Sequence, residues 1–370
     1  MKACGITAEY NPFHKGHQYH IEETRKKTGC DAVIAVMSGN FTQRGEPAVI
    51  DKWTRAEAAV RGGADIVLEL PYIYAVQSAS RFAEGAVGIL KKAGVSCISF
   101  GSECGNLENL KEIAEAPINP DHIRQSMASG MSYPQAYSLL AGEMMPNDIL
   151  AVCYLKQMQD TGIEPVIIQR TGGYLDEEMG EMPSALAIRK ALKQHQDIAG
   201  STIMQEALEN SFHPWMELYY PYLRTFLIMS AREHLSSLFM FSEGIENHLA
   251  EKAMENDTWD SFLHACITHR YTASRIRRTC LHAMNQITKE EVRRLPDHHA
   301  VRVLAFNETG RQYLREMRES ETRFACRFAD MPKPWRVMEY RTTLLFASVF
   351  PEETRKHLLH QEITGAMYIR

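Results

Sequence analysis

Short apolar runs alternate with longer amphipathic stretches through the first hundred residues, and this alternation restricts the fold more than any other feature. Ala3–Ala8, Asp31–Met37, Ile66–Leu70 and Cys97–Phe100 are brief and bounded by turn residues, so they read as buried strands. His14–Lys27, Lys52–Gly62 and Ala79–Ala93 lie between them with helical periodicity. Strands joined through helices of this length require right-handed crossovers, and those build a parallel sheet. A further strand is expected at Pro165–Gln169, after helices at Asp121–Gly130, Tyr133–Gly142 and Asn147–Gln159. Ser184 reads as the N-cap of a helix over Ser184–Gln194.

Beyond Ser201 the strand signal thins. Met204–Glu209, Pro214–Arg232, Gly244–Glu255, Thr258–Ile267, Thr272–Ala283 and Trp335–Ser348 are helical by period, while the apolar run Ala300–Ala305 reads as a short strand. A chain of 370 residues has room for two domains. The expected fold class is α/β, a Rossmann-like parallel sheet over residues 1–200 followed by a mainly helical C-terminal domain over residues 201–370.

A formal net charge of −5 gives no global signal for nucleic acid or membrane, so any RNA contact has to come from a local basic patch. The eight cysteines are scattered without a Cys-x-x-Cys pair, which argues against a zinc ribbon or a redox motif. The opening MKACGITAEYNPF lacks an apolar stretch of signal-peptide length, and no run of about 18 apolar residues occurs. A reduced, cytoplasmic protein without a membrane span is the expectation.

Chemistry concentrates where the first strand ends: Gly5-Ile-Thr-Ala-Glu-Tyr-Asn-Pro-Phe-His14-Lys-Gly16-His17. Ligands bind parallel sheets at the carboxyl ends of strands, which is where this turn falls. A helix opening there offers amide donors and the positive end of its dipole to an anion. Gly16 would let a phosphate approach the backbone, and His14 and His17, three apart, would share a face. Two imidazole N–H groups could then bond phosphate oxygens that gain charge during adenylyl transfer. A histidine pair at this spacing is also compatible with an ordinary capping feature. His20 adds a third imidazole, but no cysteine accompanies the set, so no metal site is expected.

The His-x-Gly-His after the first strand resembles the signature of the nucleotidylyltransferase superfamily. The fuller string Ala8-Glu-Tyr-Asn-Pro-Phe-His-Lys-Gly-His-Gln-Tyr-His20 resembles one family within it, the tRNA(Met) cytidine acetate ligases. Met37–Pro47, Asp65–Pro71, Phe100–Glu103, Asn147–Leu150, Glu243–Asn247 and Arg270–Arg278 are similar to the same family. The resemblance implies a sheet of the nucleotidylyltransferase type. It also implies an enzyme that joins acetate to ATP as acetyl-adenylate and acetylates the N4 amine of the wobble cytidine of elongator tRNA(Met). Carried over by position, the ATP-binding stretch comprises Thr7, Ala8, Glu9, Tyr10, Asn11, Pro12, Phe13, His14, Lys15, Gly16, His17, Gln18, Tyr19 and His20. Gly101, Asn147 and Arg170 complete it, although Gly101 also reads as a turn glycine and Arg170 as a solvated loop residue. Ser184 and Arg189 match a phosphate-binding Ser-x-Thr-x-Ile-Arg segment, but Leu186 stands where a hydroxyl is usual. Magnesium generally accompanies ATP phosphates, and no spacing here demands it.

The loop after the second strand is polar from Ser38 to Glu46 apart from Phe41, hard to explain as core. Arg44 or Lys52 is expected to meet a phosphate or the acetate carboxylate, with Glu46 and Asp51 as acidic candidates for assisting the amine. Further along, Arg270, Arg275, Arg277 and Arg278 lie within nine residues beside Tyr271. A guanidinium row with an aromatic neighbour suits RNA phosphates and base stacking, though a basic helix paired to acidic neighbours such as Glu243 has the same pattern. Two other functions remain open on the residues alone. One is a nucleotidylyltransferase acting on a small phosphorylated substrate, and the other is a catalytically silent nucleotide- or RNA-binding module.

Overall fold

The computed structural model of the chain describes residues 1–116, 144–169, 183–297 and 300–370. The helices expected at 121–130 and 133–142, and Arg170, lie outside these residues. The expected strands are present as β1 (Ala3–Ala8), β2 (Ala32–Ser38), β3 (Ile66–Leu70), β4 (Cys97–Ser102), β5 (Glu164–Gln169) and β6 (Ala300–Phe306). Two short strands, β7 (Arg323–Ala325) and β8 (Met367–Tyr368), were not legible in the apolar pattern. The sheet order is β5-β4-β1-β2-β3-β6-β7, with β8 beside β6.

β1 runs parallel to both β2 and β4. Chain order therefore leaves β1 on one side towards β2 and on the other towards β4, which creates a crevice at the carboxyl ends of the strands. Alternation along β2 serves both faces. Ala32, Ile34 and Val36 pack with Phe82 and Leu90 of helix α3 (Ala79–Lys92). Val33, Ala35 and Met37 pack on the other face with Ile21 of α1 (Lys15–Thr28), Trp53 of α2 (Lys52–Arg61) and Ile188 of α5 (Ala185–Lys193). Period-two side-chain direction explains why strands covered by helices on both faces are continuously apolar. Helix α4 (Pro146–Met158) covers the β4 and β5 side.

The sheet draws on both sides of Gly200. β6 pairs antiparallel with β3, placing Ala305 opposite Val67, and so satisfies a strand edge that would otherwise lie bare. Helices over 216–229, 245–255 and 259–266, with α6 (Ala273–Met284) and α7 (Lys333–Ala347), share a separate apolar core. Phe41, from the loop after β2, enters that core with its ring 5.8 Å from those of Tyr72 and Phe346.

A buried charge cluster fastens β3, α2 and β6 to helix α8 (Glu352–Ile363). Lys52 Nζ lies 2.5 Å from Glu69 and 2.8 Å from Glu362, while Arg302 lies 2.9 Å from Glu69 and 2.5 Å from Glu362. Two cations face two carboxylates, so neither sign is left uncompensated away from water. Glu339 adjoins them and accepts the Tyr72 amide at 2.9 Å. Burial and the nearby Glu69 charge push its carboxyl up to about 8, so it is mostly protonated at neutral pH and the cluster stays balanced.

Candidate active site

The carboxyl ends of β1 and β4 open into a cleft lined by Thr7, Ala8, Glu9, Tyr10, Asn11, His14, His17 and His20. Gly101 and Asn147 line its far side, Ser184, Leu186 and Arg189 close it from α5, and Gln43, Arg44 and Glu46 form the rim after β2. Phe82, Phe100, Leu150 and Tyr154 add an apolar wall that periodicity alone assigns to the core.

His14 is the N-cap of α1, outside the helix proper. Its ring nevertheless meets that of His17, with centroids 3.8 Å apart and planes tilted by 34°. His14 Nδ1 accepts the Gly16 N–H at 3.0 Å, and His17 Nδ1 accepts the His14 N–H at 3.2 Å. A nitrogen that accepts carries no proton, so each neutral ring holds its proton on Nε2. Backbone N–H groups thus fix which nitrogen of each cleft-lining imidazole can donate.

That arrangement corrects one expectation. The opening amides of α1 are engaged by the protein itself: Lys15 N–H bonds Ser201 O at 3.4 Å, Gly16 N–H bonds His14, and His17 N–H bonds His14 O at 2.9 Å. An anion at this helix mouth meets the imidazoles rather than bare amides. Gly16 itself is not among the lining residues. His20 Nε2 contacts Ser99 Oγ at 3.0 Å, anchoring α1 to β4.

Buried Arg55, without any local sign in the sequence, ties the strand ends together. Its guanidinium donates to Glu9 O at 2.6 Å, Ser38 O at 3.2 Å, Ile50 O at 3.1 Å and Gly39 O. Burial lowers its pKa to about 10, still far above neutrality, so it remains a fixed cation beneath the cleft. Glu9 accepts the Gln43 N–H at 2.6 Å, and burial raises its carboxyl above the ordinary range despite that bond and the Arg44, Arg189 and Arg55 charges.

Segments distant in sequence meet on the β4 side. Asn147 donates to Glu103 at 2.5 Å, and Asp148 accepts Ser102 Oγ at 2.6 Å and the Glu103 amide at 3.1 Å. Ser184 Oγ caps α5 through the Ala187 amide at 3.0 Å, and Arg189 donates to Asn11 O at 2.6 Å. Leu186, where a hydroxyl is usual, faces the cleft, so the departure lies within the site.

Other expected residues are placed elsewhere. Lys52 is 1% exposed and spent on Glu69 and Glu362; Pro12 and Phe13 are buried beside the cleft, while Lys15, Gln18 and Tyr19 do not line it. Asp51 is the N-cap of α2, accepting from Trp53 N, Thr54 N and Thr54 Oγ1. Of the arginine row, Arg270 is exposed, Arg275 pairs with Glu243 at 3.0 Å over the Tyr271 ring, Arg277 pairs with Glu46 at 3.2 Å, and Arg278 donates to Gln43 O at 3.2 Å. The basic helix therefore abuts the cleft rim. Gly45, at φ +81°, lets this contact form, since a Cβ there would stand 2.5 Å from the Arg278 amide nitrogen. Among the described residues no group of three potential ligands could hold a metal, and no helix is long and apolar enough to cross a membrane.

The HIGH Nucleotidyl Transferase family model matches residues 1–361. A tRNA(Met) cytidine acetate ligase of Limosilactobacillus reuteri is 41% identical over 86% of this chain and 88% of its own. One of Anoxybacillus flavithermus is 36% identical over 98% of both chains. The crystal structure of Thermotoga maritima TmcAL without ligand superposes with a TM-score of 0.89 at 30% identity, covering 100% of both chains. The same protein bound with alpha-thio ATP gives 0.88 at 31% identity over 100% of both chains. The chain belongs to the HIGH nucleotidyl transferases and, among them, to the tRNA(Met) cytidine acetate ligases.

Proposed function

We propose that the protein condenses acetate with ATP to acetyl-adenylate and pyrophosphate, then transfers the acetyl group to the N4 amine of the wobble cytidine of elongator tRNA(Met). The observation that carries this reading is the His14–His17 stack, whose Nδ1 atoms are held by backbone N–H groups inside the cleft. Donors fixed before substrate arrives stabilise developing phosphate charge without reorganising, an effect worth roughly 3–4 kcal/mol per donor. In this reading ATP lies across β1 and β4, with Gly101 and Asn147 on the nucleoside side and Arg170 joining them. Ser184 and Arg189 meet the outgoing pyrophosphate. Arg44 supplies a cation for acetate or phosphate, and Lys52 fixes the loop from below. Magnesium would come with the triphosphate, held mainly by phosphate oxygens and water.

The division of labour follows the chain. Residues 1–200 hold ATP and acetate, and residues 201–370 present Arg270 and Arg275 to the RNA, with Arg277 and Arg278 fixing their helix to the loop after β2. The contact of Arg277 and Arg278 with the cleft rim supports an RNA path that passes the mouth of the cleft. The test is to incubate the protein with labelled acetate, ATP and unmodified tRNA. ATP-dependent label on tRNA is expected. Nucleotide consumption only with a phosphorylated small molecule, or ATP binding without turnover, would replace this reading by one of the two alternatives.

A further inference from the structure

Acyl transfer to an exocyclic amine needs a proton acceptor. The cytidine N4 nitrogen becomes cationic as it attacks, and the intermediate reverts unless that proton leaves. The neutral imidazoles of His14 and His17 carry protons on Nε2 and are donors there. Asp51 is consumed in capping α2, and Glu46 is ion-paired with Arg277 at 3.2 Å.

Glu9 remains. It lines the cleft directly after β1, between the histidine stack and the loop that touches the arginine helix. Gln43 N–H fixes one carboxylate oxygen at 2.6 Å, which sets the direction of the other. Arg55 holds the Glu9 carbonyl at 2.6 Å, so backbone and side chain are both positioned before substrate binds. The charged groups around it are Arg44 on the loop, Arg189 on α5 and Arg55 on α2; burial outweighs them and leaves the carboxylate more basic than usual.

We propose that Glu9 accepts the N4 proton during acetyl transfer, an inference that rests on the acetyl-transfer reading above. The N4–C bond forms as the amine attacks the acetyl carbonyl carbon. Its proton passes to the Glu9 carboxylate, the intermediate breaks the C–O bond of the mixed anhydride to release AMP, and Glu9 then returns the proton to water.

The experiment separates the two half-reactions in the full chain, using acetate-dependent ATP–pyrophosphate exchange and single-turnover transfer of labelled acetyl to saturating tRNA across a pH series. Glu9→Gln keeps an oxygen for the Gln43 N–H but removes the base. Transfer should fall by about 10²–10⁴-fold, at least about tenfold more than exchange, which Glu9 also touches as a residue of the ATP cleft, with the acidic limb of the transfer profile lost. Glu9→Asp, which keeps a base, should recover part of the rate and the acidic limb. Equal losses in both half-reactions, or near wild-type transfer by Glu9→Gln, would overturn the assignment. Wild-type protein that exchanges pyrophosphate but never labels tRNA would instead overturn the acetyl-transfer reading, and Glu9's role with it.

Discussion

The His14 ring is folded back over Gly16: Nδ1 accepts the Gly16 amide at 3.0 Å, and a Cβ at position 16 would stand 2.9 Å from His14 Cε1. The glycine between the histidines makes room for the protein's own imidazole. Gly16→Ala should therefore displace that ring while leaving the helix intact, because alanine is the better helix former. Misplacement by an ångström is enough to cost about 10²-fold in rate. Pyrophosphate exchange should drop on that scale with a nearly unchanged melting temperature; full exchange activity would show that the ring's position is unimportant.

His17→Ala removes one cleft donor and the acceptor for the His14 amide. Adenylate formation should fall by roughly 10²–10³-fold, the cost of losing one preorganised donor at a developing anion. Circular dichroism should report an intact fold. Near-normal turnover would exclude the proposed role of the stack.

The arginine row is testable through salt. Arg270→Ala combined with Arg275→Ala should raise the tRNA Michaelis constant. It should also flatten the dependence of log binding on log salt by about one unit for each phosphate no longer neutralised. Arg275 sits over Tyr271, so some of the effect would fall on local packing. An unaltered salt slope would place the RNA on another face.

Lys52→Met leaves Glu69 and Glu362 facing each other with Arg302 as their remaining close cation. Breaking a buried pair from one side costs about 3–5 kcal/mol. Denaturant unfolding should register a destabilisation of that size. A near-neutral effect would mean water enters the cluster.

Glu339 gives the same cluster a pH signature. Its carboxyl sits at about 8 in the folded chain against an ordinary value of 4.5, so above the lower value the unfolded chain releases a proton the native chain retains. Wild-type stability should consequently decline as pH rises from about 4.5 to 8 by this group's contribution, levelling off above it. Glu339→Gln stays neutral and keeps an oxygen for the Tyr72 amide, so it should remove that part of the slope. Identical pH–stability curves for the two proteins would contradict a buried protonated carboxyl.

Much of the site was legible because its parts announce themselves locally. Apolar runs with turn residues located β1 to β6 nearly to the residue, and the histidine motif marked the strand end where the cleft opens. Glu9 and Arg55 were less visible in their roles: one was simply a member of the ATP-binding stretch, the other an arginine in an amphipathic helix. Neither has a pattern of its own, since each acts through partners brought in by other strands.

The sequence by itself determined which segments become strands and helices, because periodicity and capping are decided by residues within a turn or two of one another. It also determined the chemistry available at the end of β1. Only the tertiary structure decided how those groups are used. Asn40 meets Thr343 across 303 positions, Lys52 meets Glu362 in the interior instead of a phosphate, and β6 returns to close the sheet beside β3. Charge pairing and edge pairing are satisfied by whichever complementary group the folded chain brings near, and such proximity leaves no local period to read.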